Sequence, residues 1–132
     1  MHLELTNSLS FDDADTWQRY GNGWRIEGDI ECYSHCIGLT NFTVRVALRF
    51  ADVPKWVPFA SPGHWNDLDS IEVGNCAADG LTPDERQTML TMWSIESAPL
   101  LLGTDLTKLD PFDLQLIPNP EVIAVDQSGR PP

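Results

Sequence analysis

No stretch of this chain approaches the roughly 18 consecutive apolar residues of a membrane-spanning helix, so no membrane partner is implied. The start, Met1-His2-Leu3-Glu4, has neither the basic residues nor the apolar core of a signal peptide. On that reading the protein is either cytosolic or cut from a longer secreted precursor. Basic residues are scarce: 8 Lys and Arg stand against 20 Asp and Glu, a formal net charge of −12. That balance argues against nucleic acid as a partner, because the phosphate backbone attracts basic surfaces. The acidic residues are spread along the chain rather than gathered in a tail, which is the pattern of a well-solvated surface.

Cysteine is also sparse, and its count of 3 is odd, so it does not form a disulfide framework. Cys32 and Cys36 are close enough to bridge, leaving Cys76 over. A zinc site at Cys32, His35 and Cys36 would lack a second ligand pair at suitable spacing. Asn41-Phe42-Thr43 is a glycosylation sequon, meaningful only in a secreted chain. There is no internal repeat and no low-complexity segment; only residues 128–132 look loose. The length of 132 residues suits one small domain and falls far short of the roughly 250 residues of a complete (β/α)8 barrel.

The pattern that is present alternates strands with helices. Leu3-Glu4-Leu5 reads as a short strand stopped at Thr6-Asn7-Ser8, and Asp12 to Tyr20 as a helix ended by Gly21-Asn22-Gly23. Trp24 to Ile30 is the next expected strand. Phe42, Val46 and Phe50, with Arg45 and Arg49 between them, carry a helical period that Pro54 and Pro58 are expected to close. Ser61-Pro62-Gly63 turns into the stretch Trp65 to Asp69. Thr82-Pro83-Asp84-Glu85 is a capping box with proline at the first helical position, opening a helix to about Glu96. Pro99 to Gly103 resembles a buried parallel strand. Asp110 then caps a short helix through Leu116, and Pro118-Asn119-Pro120 precedes a last turn. This order predicts an α/β fold with a parallel sheet.

Two stretches gather mixed chemistry where apolar runs end: Trp24-Arg25-Ile26-Glu27-Gly28-Asp29 and Gly63-His64-Trp65-Asn66-Asp67-Leu68-Asp69. Aromatic walls beside fixed donors and acceptors suit a sugar, and strand carboxyl ends are where barrel enzymes place their chemistry. Flanked by Trp24 and Ile30, the Asp29 carboxyl is expected to be partly desolvated, as a general acid requires; capping a helix is the competing reading. Arg25 reaches Asp29 if the strand breaks at Gly28. Asp67 and Asp69, spaced by two, point the same way on an extended chain, a weak divalent-metal signal that His64 extends; a hydrogen-bonded histidine is the plainer reading. Trp65 is either a sugar platform or a core filler, Trp56 and Trp93 are core, and Asp105 is a cap.

These two motifs, with Glu72-Val73-Gly74-Asn75, Gly80-Leu81-Thr82, Ala98-Pro99-Leu100, Asp105-Leu106 and Glu121-Val122-Ile123-Ala124-Val125-Asp126-Gln127, resemble in order and spacing the α-galactosidases of glycoside hydrolase family 27. The resemblance runs nearly end to end. It implies that residues 1–127 are the C-terminal half of a (β/α)8 barrel, about four βα units carrying strands five to eight. It further implies retaining hydrolysis of terminal α-galactosides with no cofactor and no metal, and a secreted enzyme. Asp29 then corresponds to the general acid/base, Arg25 to an arginine on the sugar hydroxyls and Asp69 to a supporting pocket carboxylate. Asn7 and Ser8 fall where the family recognises the substituent at carbon 2, without the Glu-Trp-Pro pattern of the animal enzymes.

The family's nucleophile, at the end of the fourth strand, its aspartate pair at the second and its C-terminal β-sandwich have no counterpart here. The isolated chain is therefore expected to be inactive, to need the N-terminal half-barrel as partner, and to expose an apolar inner face. Related substrates, an α-N-acetylgalactosaminide or a β-L-arabinopyranoside, stay open. So do a non-catalytic sugar-binding remnant and a truncated gene product.

Overall fold

Parallel strands alternate with helices in the computed structural model, which describes residues 1–31, 38–74 and 76–131. The Cys32–Cys36 bridge and the Cys32, His35, Cys36 zinc reading lie outside the described residues. Strands β1 (Glu4–Leu5), β2 (Gly23–Arg25) and β3 (Trp65–Asp67) form a parallel sheet in that order. The apolar run 99–103 continues it only as one parallel pair, Ile71 with Leu102, held by Ile71 N–H to Leu101 O (2.7 Å) and Gly103 N–H to Ile71 O (3.1 Å). It was expected to be a buried strand, but Leu101 and Leu102 are exposed, because they lie at the edge of the arc.

The helices are α1 (Ala14–Tyr20), α2 (Ala47–Trp56), α3 (Pro83–Ile95), α4 (Asp113–Leu116) and α5 (Pro120–Asp126). A π-helical stretch, Phe42–Val46, leads into α2, with the Asn41 side chain accepting from Val44 N–H. Pro54 and Pro58 were expected to close this segment near Phe50. Instead Pro54 sits inside α2, because the Val57 N–H still reaches Val53 O past the proline. The inward stripe is Val46, Arg49, Val53 and Trp56, whereas Phe50 is exposed. The α3 start follows the sequence pattern: Thr82 caps Glu85 N–H and the Glu85 carboxylate returns to Thr82 N–H. Met89, Leu90, Met92 and Trp93 enter the core with Trp24, Ile26, Ile30, Leu68 and Ile71.

The two sheet faces differ sharply. Trp24 and Asn66 share the face toward the helices, joined by Trp24 Nε1–H to Asn66 Oδ1 at 2.9 Å. The register places Glu4, Gly23 and Trp65 in one row of the opposite face and Arg25 and Asp67 in the next. Gly23 leaves room there for the Glu4 carboxylate, which would have to shift for a Cβ that would meet it at 2.0 Å. This inner face was expected to be apolar. Across the three strands it carries Trp65 but also Glu4, Arg25 and Asp67, so it is mixed, with Arg25 and Asp67 at the carboxyl ends of their strands.

Candidate active site

Strand β2 was expected to run to Ile30, but regular pairing ends at Arg25. Beyond it the backbone is tied to side chains. Ile30 N–H donates to Asp69 Oδ2 (2.8 Å), and the Gly28 carbonyl accepts from Arg49 Nη2 (2.7 Å). The turn brings Asp29 back over Arg25, as the four-residue spacing allows.

Arg25 is the centre of the cluster. Its Nη1 lies 2.9 Å from Asp29 Oδ1, its Nη2 2.8 Å from Asp69 Oδ1, and its Nε 3.4 Å from Asp67 Oδ2. Burial pulls the guanidinium pKa down, but Asp69, Asp67 and Asp29 more than offset it, and the net shift is upward. The three carboxylates are not equivalent. The Asp67 and Asp69 side chains are 3% and 5% exposed, whereas that of Asp29 is 59% exposed. Trp24 and Ile30 are fully buried and do not enclose Asp29 as anticipated, because the turn at Gly28 lifts its carboxyl out of the core.

Asp69 adopts φ +75°, a left-handed conformation that aspartate tolerates better than most residues. Its amide donates to Asp67 Oδ1 (2.7 Å), and its carboxylate accepts from Ile30 N–H and Ser70 N–H. Burial raises its carboxyl pKa despite those bonds and the attraction of Arg25. Both carboxylates of the D-x-D pair thus turn onto Arg25. His64 sits apart from them, its Nδ1–H donating to Gly21 O at 3.1 Å. Asp105 caps its own turn, accepting from Thr107 N–H at 3.0 Å.

The remaining candidates lie around this centre. Asn7 (φ +74°) and Ser8 are exposed just past β1, next to Leu9, whose amide donates to Arg25 O at 3.2 Å. Trp65 is half-buried two residues before Asp67. It lines a separate cavity of about 620 Å³ with Glu4, Pro99, Leu100 and Gln127. The cluster therefore gathers Arg25, Asp29 and Asp69 with Asp67; Asn7 and Ser8 lie in the loop between β1 and Leu9, without a bond to the cluster among the described residues, and Trp65 lies lower on the sheet.

Two features beside the cluster were not read from the sequence. The Ser70 hydroxyl lies 2.8 Å from both Glu31 Oε1 and Glu72 Oε1. A single hydroxyl proton cannot be donated to both carboxylates at once, so the arrangement favours a proton on one of them. Burial first, then Glu31, pushes Glu72 up to about 7, with the Ser70 bond opposing. Glycine at 103 makes this packing possible, since a Cβ there would lie 1.8 Å from Glu72 Oε1. The second feature is Arg45 and Arg49 of the α2 segment, which bond the turns from behind. An arginine interleaved in a helical period reads as a solvent residue, so neither announced itself.

The chain matches the alpha galactosidase A (melibiase) family over residues 8–128. Alpha-galactosidase 2 of Arabidopsis thaliana is 37% identical over 117 residues, 88% of this chain and 26% of that protein. Among solved structures, α-galactosidase I from Mortierella vinacea superposes with a TM-score of 0.81 at 30% identity. That match covers 100% of this chain and 36% of the other. A family 27 β-L-arabinopyranosidase from Geobacillus stearothermophilus gives 0.81 at 26% identity, covering 95% and 29%. The chain spans about a quarter of the length of the curated relatives it matches, and its fold is that of a partial barrel.

Proposed function

The chain belongs to the alpha galactosidase A family, and from that premise we propose that it supplies the acid/base half of a retaining glycosidase acting on terminal α-galactosides. In this reading residues 1–127 are strands five to eight of a (β/α)8 barrel, and residues 128–132 are a loose tail. The nucleophile comes from the other half of the barrel, and the working enzyme is secreted. The observation that carries the assignment is the inequality among the Arg25 carboxylates. Asp67 and Asp69 are buried in the pairing, whereas Asp29 keeps one ion-pair contact and an open side chain from which to exchange a proton.

A retaining mechanism divides the work between two carboxyl groups about 5 Å apart. Asp29 protonates the departing glycosidic oxygen while the partner carboxylate bonds the anomeric carbon; it then takes a proton from the water that releases the sugar. Arg25 presents its remaining donor capacity to sugar hydroxyls, oriented by Asp69. Asn7 and Ser8 stand beside carbon 2. Trp65, two residues before Asp67 on the same sheet face, offers an apolar platform in the adjoining cavity.

The test uses the 132-residue chain alone and joined to the preceding part of the Mortierella vinacea enzyme. The joined protein releases nitrophenol from a nitrophenyl α-galactoside and the chain alone does not. Turnover by the isolated chain, abolished by Asp29→Asn, would overturn the division of labour. The Geobacillus match favours a second reading within the same site, a β-L-arabinopyranoside as substrate, which a nitrophenyl glycoside panel separates.

A further inference from the structure

We propose that Arg45 and Arg49 are positioning residues that set the Asp29 and Asp69 carboxylates about Arg25, an inference that rests on the acid/base reading of Asp29. Four backbone carbonyls bracket the two aspartates, those of residues 28, 29, 68 and 69. Each accepts from a side chain outside the two turns. Arg49 Nη2 donates to Gly28 O (2.7 Å) and Arg49 Nε to Leu68 O (2.8 Å). Arg45 Nη1 donates to Asp29 O (2.8 Å), and Trp93 Nε1 to Asp69 O (2.8 Å). The two residues that Arg49 holds are those immediately before Asp29 and Asp69.

The parts of this clamp are themselves coupled. The Arg49 guanidinium lies 5.8 Å from the Trp93 ring centroid, and its Nη1 donates to Arg45 O at 2.7 Å. One planar fork therefore spans the α2 segment and both turns, which fixes the distance between them. Arg49 is 1% exposed, and among the described residues its three hydrogen bonds go to backbone carbonyls; burial lowers its pKa, although Asp69, Glu27 and Asp67 attract its charge without bonding it. Burying a guanidinium on those terms is expensive, and an apolar side chain would fill the same space at less cost. The charge is explained if the positions of the two turns are what the fork supplies. Lysine, with a point charge and no fork, cannot bridge both carbonyls.

The test separates positioning from plain stability. Arg45 is half-buried and bonds one turn only, so Arg45→Met should leave the melting temperature unchanged. In the joined enzyme it should lower kcat/KM for phenyl α-galactoside, whose leaving group needs a proton, by about 10-fold or more. It should leave kcat/KM for 2,4-dinitrophenyl α-galactoside, whose departure needs no proton, within about 2-fold. Equal loss on both substrates, or loss on neither, overturns the proposal. In the 132-residue chain itself, Arg49→Met and Arg49→Lys should each speed hydrogen exchange at the Ile30 amide, which Asp69 holds. Unchanged exchange, full protection by lysine, or an Ile30 amide already unprotected in the unsubstituted chain would each overturn it. If the joined enzyme is inactive without any substitution, the glycosidase reading fails, and the Ile30 exchange still decides the positioning.

Discussion

Glu96 ends α3 in an awkward place for a carboxylate. It is 4% exposed, its Oε2 is buried with no hydrogen-bond partner among the described residues, and it caps the carbonyl end of the helix, where the dipole repels negative charge. It borders a cavity of about 580 Å³ between α2 and α3, walled by Phe50, Val53, Met92 and Ile95. Burial pushes its carboxyl from 4.5 to about 7. The folded state then holds a proton that the unfolded state releases between those two values, so stability falls as pH rises from 4.5 to 7. At about 1.4 kcal/mol for each pH unit of displacement, the penalty above pH 7 is about 3 kcal/mol. Glu96→Gln removes the titration and keeps the shape. Urea unfolding followed by tryptophan fluorescence should show the variant more stable by about 3 kcal/mol at pH 8 and equal to the parent near pH 4.5. A gain of the same size at both pH values, or a loss at pH 8, would refute the reasoning.

Two other substitutions test the packing that supports the site. Arg86, 4% exposed, pairs with Asp79 (2.7 Å), Asp110 (2.9 Å) and Asp113 (3.1 Å), and Asp79 and Asp113 are themselves fully buried. Arg86→Met strands those carboxylates and should cost about 3–5 kcal/mol at pH 7 in urea unfolding. Burial already raises the Asp79 and Asp113 pKa values, so the loss should shrink as the pH is lowered and they take up protons. Gly38 has φ +98°, and a Cβ there would lie 2.7 Å from Gly80 Cα. Gly38→Ala should lower stability by roughly 2–4 kcal/mol in the same assay, because backbone on both sides cannot yield.

The alternation of strand and helix was legible because each rests on local signals, such as the Thr82–Glu85 box and the Gly21-Asn22-Gly23 stop. Arg25 and Asp29 were legible for the same reason: four residues with a glycine between them is a local geometry. What stayed hidden depended on distant parts of the chain. The end of β2 is decided by Asp69 and Arg49, which lie 39 and 21 residues from the groups they bond, Ile30 N–H and Gly28 O. The Glu31–Ser70–Glu72 cluster depends on Gly103 arriving at the sheet edge with no side chain. Desolvation of Asp29 by Trp24 and Ile30 was misjudged because adjacency in sequence says nothing about which way a turn lifts a carboxyl. The charge on the inner face follows from register: Glu4, Arg25 and Asp67 fall on one side only once the three strands are aligned.

The role of Asp29 is tested most directly by replacing it with glycine in the joined enzyme and adding azide, with 2,4-dinitrophenyl α-galactoside as substrate. A retaining enzyme that has lost its acid/base still forms the glycosyl–enzyme bond with such a leaving group, and azide then enters from the face the leaving group vacated. The account predicts restored turnover with α-galactosyl azide as the product. Formation of β-galactosyl azide would make Asp29 the nucleophile and contradict the account, as would full activity of the glycine variant without azide.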